Sequence, residues 1–509
     1  MTNPHDRTLR LAKAVKIETD RLIELRELHI AIELGDDRAS DPIACLAFLT
    51  LCNLATRLGP WLPNLVCRAP VDAKVPPSPI YDSGSLNDAA LRVLRESIDP
   101  EGLSRGSASG EREYDLLLVI GKPTPRARRV LRVSWDGWLA RVGPDAEPPS
   151  PNENSIGALL AASIATARLH AHLIAHLKRK PHDDEEWSLS AYALDDHTRG
   201  PELPLAMRAP PTLMVGAGAL GSTTTYLLAH VPRLEHAKLD VVDDDILTKT
   251  NSNRQLTAPY ARAAAEKVPK IDDLRLAIPA IKGAQLKYDA WKSASGRSAG
   301  DYHIAVSAVD SPQVRRDIAS DLPRVLINGA TGNFGIAIHR VDDPARACLR
   351  CEYPIVHHDL VAQVARQLAL SRQEVEEIRD GKRSITPEMI VHAVQNGVLD
   401  VYQHEADLMI QKGWEYLVRR GCGEGKPDKD LPTASVSYVS ATCGFLMAAQ
   451  IVKETLAAND VPLRRGAECF EWDDLLRSPR HAAIRTLAAE PDCEETHDIF
   501  SEIYREKQP

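Results

Sequence analysis

Gly216, Gly218 and Gly221 stand in G-x-G-x-x-G spacing straight after a short apolar run, Leu213 to Val215. An Ala/Leu-rich stretch of helical length follows to about Val231, then a second apolar run, Leu239 to Val242, ending on Asp243. A strand, a tight turn, a helix and a second strand in that order make a nucleotide cradle. The glycines let backbone approach phosphate, the helix N-terminus faces the anion, and the acid after strand two suits a ribose. The polar run beyond Asp243 narrows the chemistry. Asp245, Asn251, Arg254 and Gln255 lie in DDDILTKTNSNRQ, where a dinucleotide-dependent oxidoreductase needs nothing of the kind. Asn251 and Arg254 are placed to reach the outer phosphates of a triphosphate, and Lys267 follows close behind, with Lys270 as its rival. Asp310 ends a third apolar run, Tyr302 to Val309, where a carboxylate could hold Mg2+ on the phosphates.

The chain carries nine cysteines, an odd and scattered set that includes the close pair Cys348-Leu-Arg-Cys351. Such a pair in a reducing compartment reads as metal binding or thiol chemistry. Cys422 lies in RRGCGEGK, between flexible glycines and just after Arg419 and Arg420, whose charge favours its thiolate. Cys45, Cys52, Cys67 and Cys443 sit in apolar sequence and read as core. His172 and His176 share a helix face without a third ligand and read as packing or surface.

At 509 residues, with 44% hydrophobic and 26% charged residues, the chain has material for two or three ordinary globular domains. A formal charge of −9 argues against a nucleic-acid binder. The polar N-terminus and the lack of an apolar run of roughly 20 residues predict neither a signal peptide nor a membrane span, hence a cytoplasmic protein. The pattern predicts a helix over residues 1–30, a buried helix over 43–65, strands at Tyr114–Ile120 and Val130–Val133, and a long Ala/Leu helix at Ile156–Leu177. A charged, Pro-rich break at 179–211 precedes the glycine motif. Strands at 302–309 and 325–328 continue the second half, a polar helical stretch follows Cys351, and Tyr438–Leu456 returns as buried helix.

VGAGALGS, VVDDDILTKTNSNRQ, Lys267 and SAVDSPQVRR together resemble the ubiquitin-activating enzymes and the ThiF/MoeB-like adenylating enzymes of thiamine and molybdopterin biosynthesis. Ser311 stands where that pattern has Asn. The resemblance implies an α/β fold of two Rossmann-like, ThiF-type adenylation lobes. An inactive lobe would span 1–195 and an active one 205–480, with a helical catalytic-cysteine insertion at about 355–425 and a tail at 481–509. It implies ATP held by Gly216, Gly218, Gly221, Asp243, Asp245, Asn251, Arg254, Gln255 and Lys267, and Mg2+ at Asp310. Zn2+ would sit between Cys348 and Cys351 and a C-terminal pair, here Cys493 and His497, with Cys469 as the rival ligand. Cys422 would be the nucleophile, with Arg254, Lys267 and Asp310 in the catalytic set. The implied activity is adenylation of the C-terminal glycine of a ubiquitin-like protein, capture as a thioester and transfer to a ubiquitin-conjugating-type enzyme, in a bacterial antiphage-defence operon. Nucleic-acid and membrane partners are not expected, and a homodimer stays open. The alternatives are a sulfur-carrier-protein adenylyltransferase, an NAD-dependent oxidoreductase and a non-catalytic scaffold.

Overall fold

The computed structural model describes residues 12, 14–62, 64–96, 113–123, 126–150, 154–181, 184–236, 238–264, 267–342, 347–353, 365, 368, 370–395, 409–410, 436–457 and 467–487. The chain forms two compact units, one of residues 1–353 and 435–509, the other of residues 354–434. In the first unit, strands β1 (Ile30–Leu34), β2 (Leu65–Arg68), β3 (Leu116–Ile120), β4 (Val130–Asp136), β5 (Leu139–Gly143) and β6 (Trp187–Ser190) form one sheet in the order β2-β1-β3-β4-β5-β6. β7 (Met207–Ala209) and β9 (Leu234–His236) make a small pair around β8 (Thr212–Val215) in sequence. β8 belongs to a second sheet with β10 (Leu239–Val242), β11 (Lys282–Ala284), β12 (Ile304–Ser307), β13 (Val325–Thr331), β14 (Ile336–Val341), β15 (Ala467–Trp472) and β16 (Ala483–Thr486). Its order is β11-β10-β8-β12-β13-β14-β15-β16.

Both sheets follow one plan. β1, β2, β3 and β4 are mutually parallel, and so are β8, β10, β12 and β13; each set then turns into antiparallel strands, β5-β6 and β14-β15. The central strands β1, β3, β8 and β12 are buried along their whole length, as parallel strands covered on both faces must be. Two Rossmann-like lobes therefore share this unit.

Four helices join them: α1 (Pro42–Thr56), α2 (Ser155–Leu177), α3 (Ala219–Ala229) and α6 (Ser437–Ala457), with α4 (Lys270–Ala277) and α5 (Pro312–Ser320) lying between α3 and α6 in the chain. α2 packs on α1 and α6, and α6 packs on α3. The run Ser222-Thr223-Thr224-Thr225 on α3 is fully buried against α6. Thr223 and Thr224 hydroxyls donate to the Ser440 and Gly444 carbonyls at 2.9 and 3.2 Å, and a Cβ on Gly444 would lie 2.0 Å from Thr223 Oγ1. Only glycine allows these helices so close. α2 is long and apolar enough to cross a membrane, with a mean hydropathy of 1.4, but 83% of that stretch is buried inside the protein.

Two expectations need correction. The helix over 1–30 is met only in part: Ala12 and Ala14 are α-helical, Thr19–Glu27 is a 3₁₀ helix, and at Ile30 the chain enters β1, whose fully buried IAIEL run serves a central strand. The helix over 43–65 stops at Thr56, because Gly59, with φ +60°, and Pro60 force a turn before β2. The second unit contains helices Arg372–Arg379 and Pro387–Gln395, with Leu368, Val375, Ile378, Ile390 and Met409 in its core.

Candidate adenylation site

The site stands at the carboxyl ends of β8, β10 and β12. Gly216 takes φ +102°, and a Cβ there would lie 2.6 Å from the Ala308 carbonyl oxygen at the end of β12. A Cβ on Gly221 would lie 2.2 Å from Gly216 O. Gly218 is different: nothing lies within 4 Å of its missing Cβ, and it caps α3 with no side-chain hydrogen bond. Two glycines fold the turn, and the third leaves the first N–H groups of α3 open, as a phosphate cradle requires.

Asp243 ties this turn to β10. Its Oδ2 accepts from the Ala217 N–H at 2.6 Å and its Oδ1 from the Asp245 N–H at 2.8 Å. Burial raises its carboxyl above the ordinary value, against the lowering effects of the Ala217 N–H and the charge of Lys270. Asp245 carries a second positive neighbour role: Lys270 Nζ donates to Asp245 Oδ2 at 2.5 Å, at the first residue of α4. Lys267 is exposed, with φ +61°, in the turn before it. The structure thus brings Lys270 to the acidic pair and leaves Lys267 pointing from a strained turn.

The segment 248–258 meets the glycine turn at Gln255. Asn251 is buried, and its Oδ1 accepts from the Thr248 N–H and hydroxyl at 2.8 and 2.9 Å, which fixes a short 3₁₀ turn. Arg254 is half-buried and, among the described residues, donates to local groups, Thr250 O at 3.3 Å and Asn253 Oδ1 at 3.4 Å. Gln255 Nε2 donates to Ala217 O at 3.2 Å, while its buried Oε1 has no partner among the described residues. So the segment is bonded directly to the cradle. Asp310 is exposed, two residues beyond the Ala308 that meets Gly216. Arg315 holds that strand end: its guanidinium donates to Val309 O at 2.7 and 3.0 Å and to Tyr353 Oη at 2.5 Å. Sequence reasoning quoted Arg315 within SAVDSPQVRR without giving it a role, and it missed Arg57 and Asn53 altogether. Those two come from the other lobe and carry no motif.

A profile of the ThiF family matches residues 200–479, more than half of the chain. The chain belongs to the ThiF family. Residues 29–182 match the BilD N-terminal domain, so the second match falls on the first lobe. A ThiF-type, Rossmann-like adenylation fold is what the β8–β13 sheet builds. Distant likenesses exist among solved structures. Escherichia coli MccB with MccA-N7isoASN is 14% identical, with 56% of this chain and 66% of that one covered and a TM-score of 0.34. Escherichia coli MccB with ATP is 13% identical over 71% and 96%, with a TM-score of 0.35. Selenomethionine PaaA is 14% identical over 54% and 73%, with a TM-score of 0.31. The chain spans just under two thirds of the length of the first of these. No curated protein matches.

For a ThiF-family protein the thiols are informative. All seven described cysteines are buried. Burial pushes the Cys443 thiol up to about 12 and Cys469 well above its usual range, which suits core residues and no nucleophile. Cys348 and Cys351 lie 3.9 Å apart, Sγ to Sγ, at the start of a short helix. Among the described residues no group of three or more His, Cys, Asp or Glu could hold a metal. Cys422, Cys493 and His497 lie outside the described residues.

Proposed function

We propose that this chain is an ATP-dependent activating enzyme for a ubiquitin-like protein. The observation that carries this reading is the direct bond between the open glycine cradle and the Asn251–Gln255 segment, Gln255 to Ala217. A carrier's C-terminal glycine carboxylate attacks the α-phosphorus of ATP; the bond to the bridging oxygen breaks and pyrophosphate leaves. The α3 N-terminus, Arg254 and a lysine, Lys270 by its position or Lys267, stabilise the charge that builds on the leaving phosphates. Mg2+, when bound, neutralises phosphate charge, and the exposed Asp310 is the carboxylate that suits it. The Cys422 thiolate then attacks the acyl-adenylate, AMP departs and a thioester forms, which a conjugating enzyme's cysteine takes over. A bacterial conjugation pathway serving antiphage defence is the setting, in the cytoplasm.

In this reading the first lobe is an inactive copy that supports the second. Cys348 and Cys351 are half of a Zn2+ site completed by Cys493 and His497; metal analysis of the purified chain and of Cys348→Ser tests this, and zinc unchanged by the substitution refutes it. The main test is ATP–pyrophosphate exchange with a ubiquitin-like protein ending in glycine. Asp310→Ala abolishes exchange; Cys422→Ala keeps exchange and loses the reducible thioester. A thioester that survives Cys422→Ala removes that residue from the role.

A further inference from the structure

Arg57 sits just past the end of α1, in the first lobe, and is 5% exposed. Its guanidinium is spent on the segment of the second lobe that frames the candidate ATP site. Nη1 donates to Ser252 O and, at 3.5 Å, to Ala258 O; Nη2 donates to Leu256 O at 3.3 Å. Nε donates to Asn53 Oδ1 at 2.8 Å, and Asn53 Nδ2 donates in turn to Leu256 O at 3.3 Å and to Tyr81 Oη at 3.0 Å. Every acceptor of Arg57 here is an uncharged oxygen. A cation buried this way gives up its hydration with no carboxylate bonded to it in return. An apolar side chain of similar size would fill the space at lower cost, but it would take the guanidinium donor from all three carbonyls and leave only Leu256 O its bond from Asn53. Only the forked guanidinium reaches all three at once.

The segment held this way contains Arg254 and Gln255 and begins one residue after Asn251. Gln255 passes the constraint on to the cradle through Ala217 O. We infer that Arg57, supplied by the first lobe, is a positioning residue of the ATP site: it sets the backbone from which Asn251 and Arg254 meet the phosphates. This rests on the proposed adenylation function and names what the first lobe does for it.

The test titrates Mg·ATP into the full chain by calorimetry and follows amide hydrogen exchange, well below the melting temperature. Arg57→Met raises the Kd for Mg·ATP by about 20-fold, and the amides of 251–258 lose protection while those of β8 and β12 keep theirs. Arg57→Lys recovers part of the loss, and Asn53→Ala raises Kd by about 3- to 5-fold. A folded Arg57→Met that binds within twofold of the native chain overturns the inference. If Arg57→Met does not fold, Arg57→Lys and Asn53→Ala decide, and native affinity in both overturns it. A native chain that binds no Mg·ATP overturns the adenylation reading itself and this inference with it, so the native titration tells the two failures apart.

Discussion

α1 and α3 occupy the same place in two sheets of one topology, and their first turns are finished in opposite ways. Three residues, Gly216 to Gly218, lead from β8 into α3, whose cap lacks a side-chain bond. Seven residues, Gly35 to Asp41, lead from β1 into α1. There the Asp41 carboxylate accepts from the Ile43 and Ala44 N–H groups at 3.0 and 3.1 Å, and Pro42 has no N–H to offer. The first lobe's helix start is already occupied by an anion of its own. β2 is followed by Ala69 and Pro70, where β10 is followed by Asp243, so that acid has no counterpart in the first lobe. Asp37 fills more of the notch, accepting from the Lys122 N–H at 2.9 Å. The same fold thus leaves one helix N-terminus open and fills the other with its own carboxylate, and the choice of capping residue makes the difference.

Substitutions can break or sharpen this contrast. The largest effect is expected at Gly216→Val, where a positive φ and the Ala308 carbonyl both forbid a side chain; Mg·ATP binding falls on the order of 10³-fold, while a chain that binds normally refutes the cradle. Next comes Asp310→Asn, expected to slow ATP–pyrophosphate exchange on the order of 10²-fold, whereas Pro123→Ala at the matching position of the first lobe leaves exchange unchanged. Asp41→Ala costs about 1 kcal/mol of stability, read as a lower melting temperature, with no change in Mg·ATP affinity; a change in affinity would mean that the first lobe's helix end is not merely structural.

A pH-dependent effect lies at the junction of the lobes. Lys453 on α6 donates to Tyr192 O at 2.7 Å, and burial pulls its ammonium down to about 8. The unfolded chain keeps that proton to about pH 10.4, so between pH 8 and 10 it binds more protons than the folded chain and stability rises with pH. Lys453→Met removes that rise, by about 2 kcal/mol, in denaturant titrations at the two pH values.

The second lobe was largely legible in the sequence because its glycines, Asp243 and the Asn251–Gln255 run are local signals. β8, β10, β12 and the two long Ala/Leu helices fell where the apolar runs put them. β1 was hidden because IAIEL sits in a stretch of mixed charge that also suits a helix, and five residues carry too little periodicity to decide. Arg57 and Asn53 could not be found at all. Their partners lie roughly 200 residues away in sequence, and an Arg at a helix end is commonly just a favourable charge at the dipole. The bond from Lys270 to Asp245, 25 residues apart, likewise shows only in three dimensions.

The tether between Arg57 and the 252–258 segment has a consequence for how the protein responds to dilution. In a site completed by a separate subunit, the completing group is lost as concentration falls below the dissociation constant. Here both sides of the contact belong to one chain, and the local concentration of Arg57 at its carbonyls is fixed by the fold. The contact from Arg57 to the 252–258 segment therefore does not weaken on dilution from micromolar to nanomolar protein, and hydrogen exchange of its amides is expected to be the same at both.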